Sequence, residues 1–573
     1  MLDNKIFNYK KVIKNTIAML LVFVMIFNIT GCSKRENKKV GHGKEGVIEA
    51  FDWSGYDTLI EECKKENNQQ IRNQKMFEAE NMLLDSGAVI PLSTGTDKYL
   101  CRESLDNFYI SCSGTPIAKF ATPKDGRKEL NVCICTEPGS FDPVQAATLD
   151  TATVVENYTG NLFHSTETGV EPELAQDLQI SADGMTYTVK IKPEAKWSDG
   201  VDVKAADFEY TWKRAAKEET GAEYGFMYDP IEGYPDNLNV SALDDKTLQV
   251  KLKAPCPYFK SLMAHSSYAP TRQDIVESAP NYKDNVFDWG TNVPKVTCGA
   301  FSVESWKHNS SIILKKNPGY VFADKVMVDK MHLMLSADEP SVFAAYESGN
   351  IDVNYRLIPS DEIDHVKGRA DYHNKKSQSC NYFYFNVNND IFKGMTADEA
   401  KKFRKAIGYT IDRTFIVKTV QVAENLEEGR IVPSTVHDGT SNLFADSIKS
   451  MTGSPVEYTG QPKFDVARQM LQEIGFTFDK DGKIEQDITL EYTYNTVDAN
   501  TSIATCLQAD FAELGIKLIT RSLDWNVFIK ERMQGKFETA RGSWSPDFDD
   551  PMTFLDMFTT NNSMNDVGLG KIK

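Results

Sequence analysis

The chain has 573 residues, several times the span of one hydrophobic core, so two or more bodies are expected and a single small domain is excluded. Hydrophobic residues make up 41% and charged residues 25%, with 22 Pro and 35 Gly, which excludes collagen-like, coiled-coil and largely disordered chains. A total of 64 Lys and Arg against 82 Asp and Glu leaves a formal charge of −18, which would repel a phosphate backbone and argues against a nucleic-acid partner.

In chain order, Lys5, Lys10, Lys11 and Lys14 precede the apolar run Thr16 to Ile29 (TIAMLLVFVMIFNI). A run of about fourteen is too short for a hydrocarbon core that needs about twenty, and the basic flank fits an export signal over residues 1–31. Ile29-Thr30-Gly31-Cys32 puts small residues before a cysteine at the end of that run. This looks like a bacterial lipobox, in which Cys32 takes diacylglycerol and becomes the mature N-terminus; the alternative is an ordinary signal with an incidental cysteine. Residues 32–46 then read as a polar tether. No later window is long and apolar enough to cross a bilayer, so the expected location is the extracytoplasmic face, lipid-anchored. With Cys32 set aside, nine of the ten cysteines remain and cannot all pair. Cys133-Ile134-Cys135 lies in a strand-like run and there is no CxxC, so buried, reduced thiols are expected and zinc is not.

The turn Ala182-Asp183-Gly184 leads into Tyr187, Val189 and Ile191 at period two, with a second turn at Trp197-Ser198-Asp199-Gly200, which predicts a hairpin. Ala205, Phe208 and Trp212 then mark one face of a helix. Leu248, Val250 and Leu252 predict a strand, as does SCNYFYFNVNN (Ser379 to Asn389). FRKAIGYTIDRTFIVKTV (Phe403 to Val420) reads as one amphipathic helix, and DVARQMLQEIGFTFDKDGK as another stopping at Gly475. Without repeats of 20 to 50 residues, the pattern predicts a large mixed α/β architecture.

Catalytic signatures do not appear: there is no GxxxxGK[ST], GxSxG or HExxH, and the eight His are scattered singly. Asp479-Lys480-Asp481-Gly482 lacks the later ligands of a calcium loop and reads as a turn. No enzyme, cofactor or metal is expected.

EPGSFDP (Glu137 to Pro143), the stretch Glu171 to Arg214, and WNVFIKERMQGKFETARGSWSPDFDDPMTFLDMF (Trp525 to Phe558) resemble the extracellular solute-binding proteins of peptide ABC transporters, of the oligopeptide-binding type. The resemblance implies a two-lobed receptor, periplasmic-binding-protein-like, with an extra domain. It implies closure on a peptide, delivery to ABC permease and ATPase subunits, and a monomer. Residues 47–121 resemble the family's C-terminal part yet stand first, which implies a circularly permuted order. The expected division is 122–335 as the first lobe, with a small domain inserted at about 160–245, and 336–573 as the second lobe, completed by about 47–90. Carried over from the family, Asp547 would hold the peptide's α-ammonium, Arg541 and Arg532 would meet carboxylates or carbonyls, and Trp544 and Tyr224 would be cleft aromatics. The backbone at Ser543 and Ser545 would bond the peptide as an added strand. Positions that other family members give to an acid and a lysine hold Ala147 and Gly408 here, and Ser93-Thr94-Gly95 replaces an aromatic run. Relatives of this fold also bind nickel chelates, opines or oligosaccharides, so a non-peptide solute stays open.

Overall fold

A computed structural model describes residues 47–571, apart from 147, 218–219, 223, 283–289, 291–295, 360, 421–422, 425–428 and 454–455. The export signal, the tether, Cys32 and Ala147 lie outside the described residues. The elements that position the site are α1 (Ser54–Lys65), α2 (Gln69–Asp85), β1 (Val89–Cys101), β2 (Glu129–Cys135), β3 (Ala175–Ile180), β4 (Thr186–Ile191), α3 (Ala205–Ala216), β5 (Val240–Asp244), β6 (Thr247–Lys251), β7 (Phe301–Lys307), β8 (Ser311–Lys316), β9 (Lys330–Leu335), β10 (Val353–Tyr355) and β11 (Tyr372–Phe385). They continue with α4 (Ala397–Tyr409), α5 (Arg413–Val420), α6 (Phe464–Glu473), β12 (Thr489–Asn495), β13 (Lys517–Leu523) and β14 (Thr539–Trp544).

One sheet runs through the molecule in the order β7-β8-β9-β2-β10-β1-β11-β14-β12-β13, with the short strand Ala423–Glu424 paired to β1. Its two halves are joined by the two longest strands. β1 pairs with β10 on the first half at Tyr99–Cys101, and β11 pairs with β14 on the second half from Cys380 to Phe385. Where β11 enters the second half, Tyr382, Phe383, Tyr384 and Phe385 are all buried, the continuous apolar run of a strand covered on both faces. The β1–β11 ladder is broken by irregularities at Pro91/Ser93 and Thr94/Thr96. At Gly95 a Cβ would stand 2.1 Å from Ser379 Oγ, so a larger residue at this crossing would have to displace the serine hydroxyls. The Ser93-Thr94-Gly95 departure therefore lies in the connecting strands, where bulges and small side chains permit bending.

A separate four-stranded antiparallel sheet, β5-β6-β4-β3, carries α3 on one face. The hairpin and the strand at Leu248–Leu252 form as their period-two pattern predicts, with Tyr187, Val189, Ile191, Leu248 and Val250 buried. Ala205, Phe208 and Trp212 of α3 are buried against them. This small body hangs on the first half. The chain enters and leaves it side by side, with Thr297 Oγ1 donating to Tyr158 O at 3.0 Å, and Arg214 of α3 grips Asp142 with two bonds of 2.8 Å.

Residues 47–121 are part of the fold rather than an appendage. Besides supplying β1, they bury Tyr56, Ile60, Met76, Leu83 and Leu84 in the core of the second half. Trp53 Nε1 donates to Phe558 O at 2.8 Å, and Tyr56 OH to Leu555 O at 2.7 Å.

The single helix expected over Phe403 to Val420 is two helices. α4 ends at Tyr409, and α5 restarts at Arg413 because the Asp412 carboxylate accepts from Phe415 N–H at 2.8 Å, a side-chain cap that competes with continued helix. α6 ends as expected, with Gly475 at φ +90° just beyond it. Eight described cysteines are unpaired and buried, as expected; burial pushes the thiols of Cys63 and Cys298 up to about 12. No helix among the described residues is long and apolar enough to cross a membrane.

Candidate functional site

β14 carries three of the sequence-predicted residues, Arg541, Ser543 and Trp544. It pairs with β11 along its length, Phe383 opposite Arg541 and Asn381 opposite Ser543, but with β12 only at Thr539 and Ala540. From Arg541 to Trp544 the strand thus has a ladder partner on one side only, which leaves backbone groups available to an added strand. Alternation puts Arg541 and Ser543 on one face and Trp544 on the other. Ser545 is exposed just past the strand.

The loop that follows holds Asp547. Its backbone N–H donates to Thr553 Oγ1 at 3.3 Å, and Trp544 Nε1 donates to the same hydroxyl at 3.1 Å, so one buried threonine sets both. Across the seam, Tyr224 OH donates to Asp547 Oδ1 at 3.1 Å. Among the described residues no Lys, Arg or His pairs with this carboxylate. Burial raises it to about 6, and the Tyr224 hydroxyl offsets only part of that. A half-buried carboxylate raised by burial, with a phenol and no cation, is electrostatically incomplete, and an ammonium would complete it.

Tyr224 itself stands edge-on to His265, ring centroids 4.9 Å apart. Burial holds His265 near 4, so its ring is neutral at pH 7; Nδ1 accepts from Ser267 N–H at 3.2 Å. Arg541 Nη1 donates to Asn495 Oδ1 at 3.3 Å, and burial lowers its guanidinium. Arg532 is engaged within its own half, where Nε lies 2.7 Å from Asp566 Oδ2. At Gly408 a Cβ would stand 2.6 Å from the Tyr458 ring, so the position that other family members give to a lysine is filled by a tyrosine here.

Several neighbours of the site carried no signal in the sequence. Phe548 and Thr553 lie in the stretch Trp525 to Phe558 without a role assigned to them there, and His265, Asn495 and Tyr258 belong to no motif. His265 was one of eight scattered histidines, and only its contact with Tyr224 brings it to the site.

Comparison with known proteins bears on the family and the fold. The dipeptide-binding protein DppE of Bacillus subtilis is 30% identical over 455 residues, covering 77% of this chain and 79% of that protein. The oligopeptide-binding protein OppA of the same organism is 29% identical over 462 residues, covering 77% and 80%. Among solved structures, a periplasmic oligopeptide-binding protein from Borrelia burgdorferi aligns with a TM-score of 0.59 at 24% identity, covering 77% of this chain and 84% of that one. Listeria monocytogenes OppA bound to peptide aligns with a TM-score of 0.58 at 23% identity, covering 77% and 86%. The fold is thus the two-lobed α/β fold of these binding proteins. Residues 169–566 match the profile of the bacterial extracellular solute-binding proteins, family 5 Middle, and that span, well over half the chain, makes this protein a member of the family.

Proposed function

We propose that this protein captures oligopeptides by their free amino end and delivers them to the permease of an ABC transporter. One observation carries the reading: Asp547 is half-buried, its carboxyl is raised by burial, it accepts from Tyr224, and it has no cation among the described residues. An α-ammonium supplies the missing charge, and a charge-assisted bond to Asp547 sets the peptide's register. The one-sided strand from Arg541 to Trp544 then pairs with the peptide backbone, Trp544 and Tyr224 line the cleft, and Arg541 meets a carboxylate or carbonyl further along. Arg532, already paired with Asp566, acts by holding the cleft wall. The names of the relatives, dipeptide- and oligopeptide-binding proteins, support the ligand class. The reading is of a monomeric receptor rather than an enzyme, anchored through lipid on Cys32. Its segment order is permuted, with residues 47–121 completing the second lobe.

Calorimetry with Ala-Ala-Ala and its N-acetylated form tests the reading on wild type and Asp547→Asn. Wild type binds the free amine more tightly by about a hundredfold or more, and Asp547→Asn largely loses that preference. Equal binding of both peptides by wild type would remove Asp547 from the reading of the amino end and favour a non-peptide solute.

A further inference from the structure

Four consecutive residues after β14 divide their contacts in two directions. Asp550 turns back into its own half, and Asp549 does so while also meeting the Cys112 thiol of the first half. Asp549 accepts from Gln378 Nε2 at 2.8 Å and from His437 N–H at 3.0 Å, and lies 2.6 Å from the His437 ring. Asp550 takes both arms of the Arg72 guanidinium, at 2.7 and 2.8 Å, in a pair with no solvent exposure. Asp547 and Phe548 face the small body instead. Asp547 meets Tyr224, and Phe548 lies flat on Tyr258, ring centroids 4.6 Å apart and planes 8° from parallel. The Arg72 guanidinium carbon is also 5.9 Å from the Tyr258 ring centroid. The arginine that anchors the loop thus also meets the ring on the far side of the seam.

We propose that Phe548 and Tyr258 form an aromatic clasp whose closing places Asp547, so that capture of the amino end and closure of the two halves are one event. Both are positioning residues, and only the ligand's identity rests on the proposed peptide function. The rings belong to different bodies, so the stack exists only when the bodies meet, and parting them exposes two apolar faces to water. Phe548 is bonded to Asp547, and Asp549 and Asp550 fix the loop behind it, so the stack leaves the carboxylate little freedom. Closure without a cation leaves a half-buried carboxylate raised by burial, an opposing cost, and an ammonium removes it. Stack and ligand therefore add in the same direction.

The surroundings fit a contact made to part. The stack lines a groove of about 240 Å3 that opens to solvent. The ion pairs on its rim stay within one body each: Lys64 with Asp556 at 2.8 Å in the second half, and Lys253 with Asp229 at 2.8 Å in the small body. Charge does not lock the seam there, which leaves the rings to hold it.

Small-angle scattering and calorimetry on the whole chain, with Ala-Ala-Ala and its N-acetylated form as probes, test the clasp. Phe548→Ala and Tyr258→Ala should keep a larger radius of gyration than wild type under saturating Ala-Ala-Ala and bind it about tenfold more weakly, the scale of one aromatic pair with its buried area. Their preference for the free amine over the acetylated peptide should match wild type, and Tyr258→Phe should behave as wild type in both measurements. Should an alanine variant lower the melting temperature, Phe548→Leu, which keeps volume without a plane, takes its place with the same expectation. Wild-type radius and affinity in the ring variants overturn the clasp, and so does loss of their free-amine preference, which would put the rings in ligand recognition instead. If wild type binds neither probe, the peptide reading fails by itself, and the peptide-free radii decide the clasp: more open ring variants uphold it, equal radii overturn it.

Discussion

The small body meets the rest of the molecule at two seams, and in each a carboxylate crosses. Toward the first half, Asp142 is fully buried and receives two guanidinium bonds of 2.8 Å from Arg214. Toward the second half, Asp547 receives one phenol hydroxyl at 3.1 Å. The first seam carries its own countercharge and can stay shut. The second lacks one, which suits a junction that a ligand completes. Two carboxylates of the same type thus separate a structural joint from a capture site by what the opposite wall supplies.

The largest expected effect removes the frame on which both seams rest. Deleting residues 56–121 takes away β1, the Arg72 anchor and the Lys119–Glu173 pair, so the remainder should show no cooperative melt. A monomeric deletion variant that melts cooperatively would make this segment dispensable. Next come paired substitutions read by different instruments. Arg214→Met should strand Asp142 and lower stability by about 3 to 5 kcal/mol, seen in calorimetric unfolding. Asp547→Ala should cost a similar free energy, but in affinity for a free-amine peptide, while its melting temperature holds or rises. If Asp547→Ala destabilises the fold as much as Arg214→Met does, the contrast between the seams collapses.

A smaller, signed effect concerns pH. The Asp547 carboxyl, raised from 3.8 to about 6, keeps a proton in the folded chain that the unfolded chain loses, so its contribution to stability declines as pH rises between those values. Affinity for a free-amine peptide should move oppositely and weaken as pH falls through about 6, because a neutral carboxyl does not pair with an ammonium. Asp547→Asn should flatten both trends. Glu156, raised by burial to about 7, and Asp510, raised by burial to about 6, add a stability slope of the same sign, which the variant retains. Thermal unfolding and calorimetry from pH 5 to 8 read both. The smallest effect is that of Tyr224→Phe, which deletes one hydroxyl bonded to a charged group and should weaken peptide binding by roughly tenfold at most with little change in melting. An unchanged affinity would mean that Tyr224 only lines the cleft.

Much of this molecule was legible from short windows. The hairpin at Tyr187–Ile191, the buried face of α3 and the stop at Gly475 follow from alternation, helical spacing and a residue tolerant of positive φ, all of which act over a few residues. The break between α4 and α5 escaped the same reasoning because apolar periodicity continues across it, while the Asp412 cap is a local alternative that periodicity does not weigh. Asp547 could be singled out only through resemblance; nothing in SWSPDFDDP distinguishes the acid that lacks a cation from the one gripped by Arg72.

By itself, then, the sequence determined the class of the molecule, its local elements and the candidate strand from Arg541 to Trp544, because those depend on composition and near neighbours. Only the tertiary structure decided which charges are complete. Tyr224 lies 323 positions from Asp547, and Arg72 lies 478 from Asp550. The energy of a buried charge depends on what surrounds it in space, and pairing across such distances is settled by the sheet that β1 and β11 hold together.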